Sequence, residues 1–168
     1  NTELHLPEAT SSFYTTITLL AMAVGMPLGG WLSNRLEQVR GFRRSFGLIP
    51  MAGMTAGAVL LLIGISTREP VWIVTWFALA LGAVGMSEGP FWATAVALGG
   101  RRGGSSGAFF NTGGNIGGML APIITPWVGK AFGWGTAVAF GGLICLAGVA
   151  LWLGIDPEER PKESESRS

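Results

Sequence analysis

Glu88 is the one acidic side chain well inside a long apolar stretch of this chain. Counted from Val71 at ~1.5 Å per residue, it lies about 25 Å along a helix, somewhat past the middle of a membrane. An ionised carboxylate at that depth is costly, so it must face a cavity, find a partner or carry a proton. A carboxyl is also the residue type that takes up and releases protons, which suits proton coupling or a substrate pathway. Two structural roles compete with that reading. Glu88 can cap a helix break at Gly89-Pro90, or reach toward arginines in the neighbouring loops.

Asn111 and Asn115 are four residues apart and so share one helix face. Their amides can donate to a substrate oxygen or to a carbonyl on a facing helix. Gly113 and Gly114 follow the first, Gly117 and Gly118 the second, and such small residues let another helix approach closely. A polar cavity lining and helix–helix adhesion use the same pattern. Trp92, with Phe91, follows Pro90 and can stack on an organic substrate or simply pack against the next helix. There is no Ser-His-Asp set, no paired carboxylate and no metal-ligand spacing, so an enzyme is not expected, nor is a cofactor or metal. Gly114-Asn-Ile-Gly-Gly118 and Arg101-Arg102-Gly-Gly lack the preceding strand and the Gly-Lys-Ser/Thr of a phosphate loop.

These residues need elements to position them. Five apolar segments, each near the ~20 residues a spanning helix needs, run about 12–33, 46–66, 71–99, 106–128 and 132–155. They are spans A to E of an all-α membrane protein. Gly25, Pro27, Gly29 and Gly30 make the second half of span A thin and bent. Span D is the least apolar and can be re-entrant rather than spanning. Residues 1–11 are expected to be an external loop, with a short helix starting near Pro7-Glu8. Residues 34–45 and 100–105 are expected as loops, Thr67-Arg68-Glu69-Pro70 as a tight turn, and Lys130 as part of another. Residues 156–168, charged and Ser-rich, read as a disordered tail.

Composition agrees. The chain is 49% hydrophobic and 12% charged, where a soluble domain carries ~25% charged residues. Net charge is +1 and no basic stretch alternates with aromatics, so nucleic acid is not an expected partner. Cys145, the only cysteine, excludes an internal disulfide. Loop charge sets orientation. Arg35, Arg40, Arg43, Arg44, Arg101 and Arg102 follow spans A and C, against Arg68 and Lys130 after B and D, which places the first set in the cytoplasm. The tail, with Arg160, Lys162 and Arg167, falls on the same side.

The stretch Gly29-Gly30-Trp31-Leu32-Ser33-Asn34-Arg35, after span A and before a basic segment, resembles the motif after the second helix of each half in the major facilitator superfamily. Asn34 stands where that pattern carries an Asp that helps latch the cytoplasmic face, which implies a weaker latch here. Arg35 fits the basic position, and Arg43-Arg44 suits the basic end of the motif across a longer loop. The resemblance implies a cytoplasmic gate at Gly30, Asn34, Arg35 and Arg43. Gly89-Pro-Phe-Trp-Ala93 and Asn111-Thr-Gly-Gly-Asn-Ile-Gly-Gly118, followed by Pro122, resemble the tenth and eleventh helices of the anion:cation symporter family, which carries organic anions such as hexuronates, aldonates and phthalate. Spans A to E then correspond to helices eight to twelve of a twelve-helix fold. Helix seven and the first six-helix half are implied as missing partners. The chain also begins without Met, as a fragment would.

The resemblance implies secondary transport of a small organic anion, coupled to protons by alternating access, in a bacterial inner membrane. Glu88, Trp92, Asn111 and Asn115 are the candidates for the substrate path. Gly89, Pro90, Gly114, Gly117, Gly118 and Pro122 are the candidates for bending and close packing. A non-transporting membrane module, and a sugar or drug carrier of the same superfamily, remain as alternatives.

Overall fold

The computed structural model describes residues 8–156, with side chains from residue 10. Every regular element among them is helical: α1 (Glu8–Arg40), α2 (Phe42–Ser66), α3 (Pro70–Gly85), α4 (Glu88–Gly99), α5 (Gly103–Phe132) and α6 (Trp134–Trp152). Four helical stretches are long and apolar enough to cross a membrane, Thr10–Arg40, Phe42–Ser66, Pro70–Phe132 and Trp134–Trp152. The third contains a reversal at a single 3₁₀ turn, Gly100–Arg102, after which α5 runs back along α4.

The reversals are tight because glycine makes them possible. Gly41, Gly100 and Gly133 adopt φ of 79°, 50° and 93°, a region where a side chain would be strained. α3 begins on Pro70, where the missing N–H is one the first turn leaves unpaired anyway. The hydroxyl of Thr67 donates to the Gly64 carbonyl at 2.7 Å and closes α2. Within α1 the hydroxyls of Thr15, Thr16 and Thr18 donate to the carbonyls of Ser11, Ser12 and Tyr14, so that cluster is satisfied by its own helix.

The helices overrun the expected spans. α1 continues through Pro27 to Arg40, so residues 34–40 are helix and not loop. At ~1.5 Å per residue it is about 50 Å long, and it overhangs a ~30 Å hydrocarbon core. Lys130 lies in the last turn of α5, and the turn falls at Gly133 instead. α5 is a single helix of 30 residues. At about 45 Å it is long enough to cross a ~30 Å hydrocarbon core. The break in span C comes at Met86-Ser87, just ahead of Glu88. Residues 1–7 of the expected external loop and residues 157–168 of the expected tail lie outside the described residues.

The core is small and centred on α2 and α3. Its buried apolar residues are Phe46, Ile49, Met54, Ala58, Ala78, Ala80, Val128 and Ala137. Glycine sets the close crossings. Gly25 lies against the backbone of Gly82, Gly29 against Met86, and Gly85 against Met22, joining α1 to α3. Gly53 meets Ala83 and Ser87 across α2 and α3, while Gly142 meets Ala58 and Gly148 meets Met54 across α6 and α2. Large apolar side chains such as Phe109, Met119, Leu143 and Leu151 point outward. This is the arrangement lipid favours, with small residues between helices and large ones against the acyl chains.

Candidate functional site

α4 and α5 form an antiparallel hairpin around the Gly100–Arg102 turn. Near the turn the pair is tight. A Cβ at Gly103 would meet Val96 at 3.0 Å, and one at Gly107 would meet the Trp92 ring at 3.1 Å. Phe110 then stands edge-on to Trp92, with ring centroids 5.3 Å apart, and to Phe91 at 6.1 Å. Phe91 also packs on Trp152 of α6 at 4.5 Å. Trp92 is therefore held by Gly107 and Phe110, while 36% of it stays exposed. It packs against the next helix and also keeps a free face.

Beyond Phe110 the contacts stop. Residues 111–125 of α5 are exposed throughout. Asn111 and Asn115 lie on this open stretch, on one face of the helix. The register set by Gly107 and Phe110 against Trp92 brings Glu88, one turn back along α4, level with the start of that stretch. Glu88 opens the first turn of α4 and is half-buried. A carboxylate at a helix N-terminus is favoured by the helix dipole. Among the described residues it makes no hydrogen bond or ion pair, so the expected contact with loop arginines is not formed. The four path candidates thus share one hairpin at neighbouring heights, with no direct bond among them.

The packing candidates divide. Gly89 meets Gly30, whose Cα would lie 3.3 Å from a Cβ at residue 89, so both serve the contact of α4 with α1. Pro90 is fully buried in the first turn of α4, where proline costs no hydrogen bond. Gly114, Gly117 and Gly118 are different, since a Cβ at any of them would meet nothing within 4 Å. Among the described residues they are an open surface and pack against no helix, and Pro122 is exposed on the same stretch. The close approaches fall at Gly25, Gly29, Gly53 and Gly85; of these the sequence marked Gly25 and Gly29, for a thin and bent span A, and not Gly53 or Gly85. Gly25-x-x-x-Gly29 carried the same spacing signal as Gly114-x-x-x-Gly118.

The gate candidates gather where α1 ends and α2 begins. Asn34 and Arg35 are exposed on the last turns of α1, and the Arg35 guanidinium sits over the Trp31 ring, 5.6 Å from its centroid. Such a pair at an exposed site contributes about 0.5–1 kcal/mol. Arg43, in the first turn of α2, pairs with Asp156 at 3.3 Å and links this corner to the end of α6. The arginine is 64% exposed, so the pair contributes at most about 1 kcal/mol. A shallow hollow on the outer face of α2, lined by Leu48, Met51, Ala52, Thr55, Ala56, Val59 and Leu60, is almost wholly apolar. It lies apart from the hairpin and has the lining of a lipid contact.

A family model described as the Major Facilitator Superfamily matches residues 1–168. The chain belongs to the major facilitator superfamily. It is therefore an integral membrane protein of a transporter family, and its helical hairpins are part of that fold. Two curated relatives carry names that specify cargo. A D-galactonate transporter of Escherichia coli O6:H1 is 26% identical over 147 residues, covering 85% of this chain and 33% of that protein. A probable sulfoacetate transporter of Cupriavidus necator, SauU, is 25% identical over 114 residues, covering 67% of this chain and 26% of that protein. The chain thus spans about a third or less of the length of these superfamily members.

Proposed function

We propose that this chain is the C-terminal part of a secondary transporter that moves a small organic anion, together with protons, by alternating access. The observation that carries the reading is the open stretch of α5. Asn111 and Asn115 present amide groups there, and an amide left against hydrocarbon without a partner is costly. Such a surface belongs against water or protein, which suits one wall of a substrate path completed by the rest of a full-length transporter. The names of the two relatives support the cargo class, since galactonate and sulfoacetate are both organic anions. In this reading Asn111 and Asn115 donate to the anion's oxygens. Trp92 offers its exposed face to the same path, and Glu88 takes up and releases the coupled proton. Gly30, Asn34, Arg35 and Arg43 form the cytoplasmic gate, in a bacterial inner membrane with the C-terminus inside.

Uptake of labelled sugar acids by cells producing the full-length protein, at two external pH values, tests it. Transport should rise with external acidity. N111L and N115L should each lower uptake at least several-fold with normal amounts of protein in the membrane. E88Q should remove the pH dependence. Uptake unchanged in both asparagine variants would refute the path assignment. An unaltered pH response in E88Q would remove Glu88 from proton coupling.

A further inference from the structure

Four polar side chains are fully buried among the described residues: Ser33, Ser45, Ser87 and Thr94. Two of them are satisfied. Ser87 Oγ donates to the Pro50 carbonyl at 3.2 Å, and Ser45 Oγ donates to the Gly41 carbonyl at 2.7 Å. Ser33 Oγ and Thr94 Oγ1 have no partner. The contrast with the rest of the chain is informative. Exposed Thr15, Thr16, Ser66, Thr75, Thr112 and Thr136 all donate to the carbonyl four residues back. Ser45 makes the same local bond although it is buried, so Ser33 and Thr94 are the two buried hydroxyls left without any bond, where a partner matters most.

The register of the helices brings the two hydroxyls to one height in the bundle. α1 runs alongside α3 and α4 through Gly25 on Gly82, Gly29 on Met86 and Gly30 beside Gly89. One further turn takes Ser33 to the height of Pro90 to Thr94. α2 runs the other way, through Gly57 on Val84, Gly53 on Ala83 and Pro50 on Ser87. Two further turns take Ser45 to the same height. Ser33, Ser45 and Thr94 thus come to one height, where α1, α2 and α4 pack on one another.

We propose that this junction binds one internal water, shared by Ser33 and Thr94. A buried water needs two to four polar partners. The two orphan hydroxyls each donate or accept, and Ser45 Oγ, whose proton is committed to Gly41, has lone pairs to spare. The water joins the end of α1 to α4 by hydrogen bonds, next to the residues of the gate. No charged group lies in the set, so the ligand is neutral water and not an anion.

The test uses the full-length transporter in detergent. A density map fine enough to show internal waters should contain a peak within hydrogen-bond distance of both hydroxyls. Thermal unfolding of S33A, T94V and the double variant should be non-additive: each single variant lowers Tm, and the double lowers it by no more than the worse single. T94S, which keeps the hydroxyl, should hold the wild-type Tm more closely than T94V. A map with other internal waters but none here overturns the proposal. So do shifts that simply add, because two hydroxyls that share no ligand are independent.

Discussion

The substitution Gly85→Ala probes the crossing of α1 and α3. A methyl on residue 85 would lie 2.7 Å from the Met22 carbonyl oxygen and 3.3 Å from the Met22 Cα. Both are backbone atoms, so no side-chain rotation relieves the clash. Ordinary contact begins at 3.4 Å, and the helices must part by about 0.7 Å along that line, a gap that forfeits a quarter to a half of each contact lining it. Gly25 on Gly82 and Gly29 on Met86 belong to the same seam and loosen with it. Overpacking of this kind costs about 1–3 kcal/mol. The higher helix propensity of alanine offsets up to about 1 kcal/mol of that. The net expectation is a loss of about 0.5–2 kcal/mol. Gly141→Ala in α6 is the matched control, because its Cβ meets nothing within 4 Å and only the propensity gain applies. Thermal unfolding of the full-length protein in detergent, read side by side, should place G85A below wild type and G141A at or above it. If G85A sits at or above wild type as well, α1 and α3 do not approach as closely as their glycines indicate, and the seam is not what holds them.

Three further outcomes follow from the packing. Ser87→Ala removes the hydrogen bond to the Pro50 carbonyl across α2 and the α3–α4 break, and should cost about 0.5–1.5 kcal/mol in the same assay; Ser87→Thr, if tolerated, should recover part of it. Trp92→Ala deletes the ring that fills the space beside Gly107 and Phe110 and, because 36% of it is exposed, should cost less than the about 3–5 kcal/mol of a fully buried tryptophan. Trp92→Phe, by contrast, should keep most of the stability while changing uptake, a split that separates packing from substrate contact. Asp156→Asn weakens the exposed pair with Arg43, so it should lower stability by no more than about 1 kcal/mol, and the difference should vanish in high salt.

The helices were legible because each pass carries an apolar run long enough to cross the bilayer, a signal that does not depend on partners. The loops expected at 34–45 and 100–105 hold the turns at Gly41 and Gly100, whereas the turn expected at Lys130 falls at Gly133. Helix ends were less legible. Arg35, Glu37 and Arg40 look like loop residues by charge, yet they continue α1, because a helix that leaves the hydrocarbon gains solvent for its charged side chains and loses nothing by remaining helical. The break in span C was placed at Glu88-Gly89-Pro90 and occurs at Met86-Ser87. The reason is directional: proline obstructs the turn before it and is welcome in the first turn of a new helix, so the interruption must precede Pro90. The two unpartnered hydroxyls left no mark in the sequence. Ser33 and Thr94 look like any helical Ser or Thr, and only burial and register separate them from Thr15 or Thr112.

The two Gly-x-x-x-Gly segments show what spacing can and cannot decide. Gly25-x-x-x-Gly29 is covered by the backbones of Gly82 and Met86, whereas Gly114-x-x-x-Gly118 meets nothing among the described residues. The spacing alone does not tell them apart, but the residues around them do. The first shares its face with half-buried Met22 and Met26, a surface that gains by meeting another apolar helix. The second is interleaved with Asn111, Thr112 and Asn115, a surface that an apolar helix or a lipid tail would leave unsatisfied. The same small residues therefore serve two ends. In α1 they bring backbones together, and in α5 they leave room beside the amides. A full-length structure that found Asn111 and Asn115 against acyl chains would contradict this reasoning. One that found them facing water, or polar groups of another helix, would explain why the most polar stretch of α5 is also its least packed.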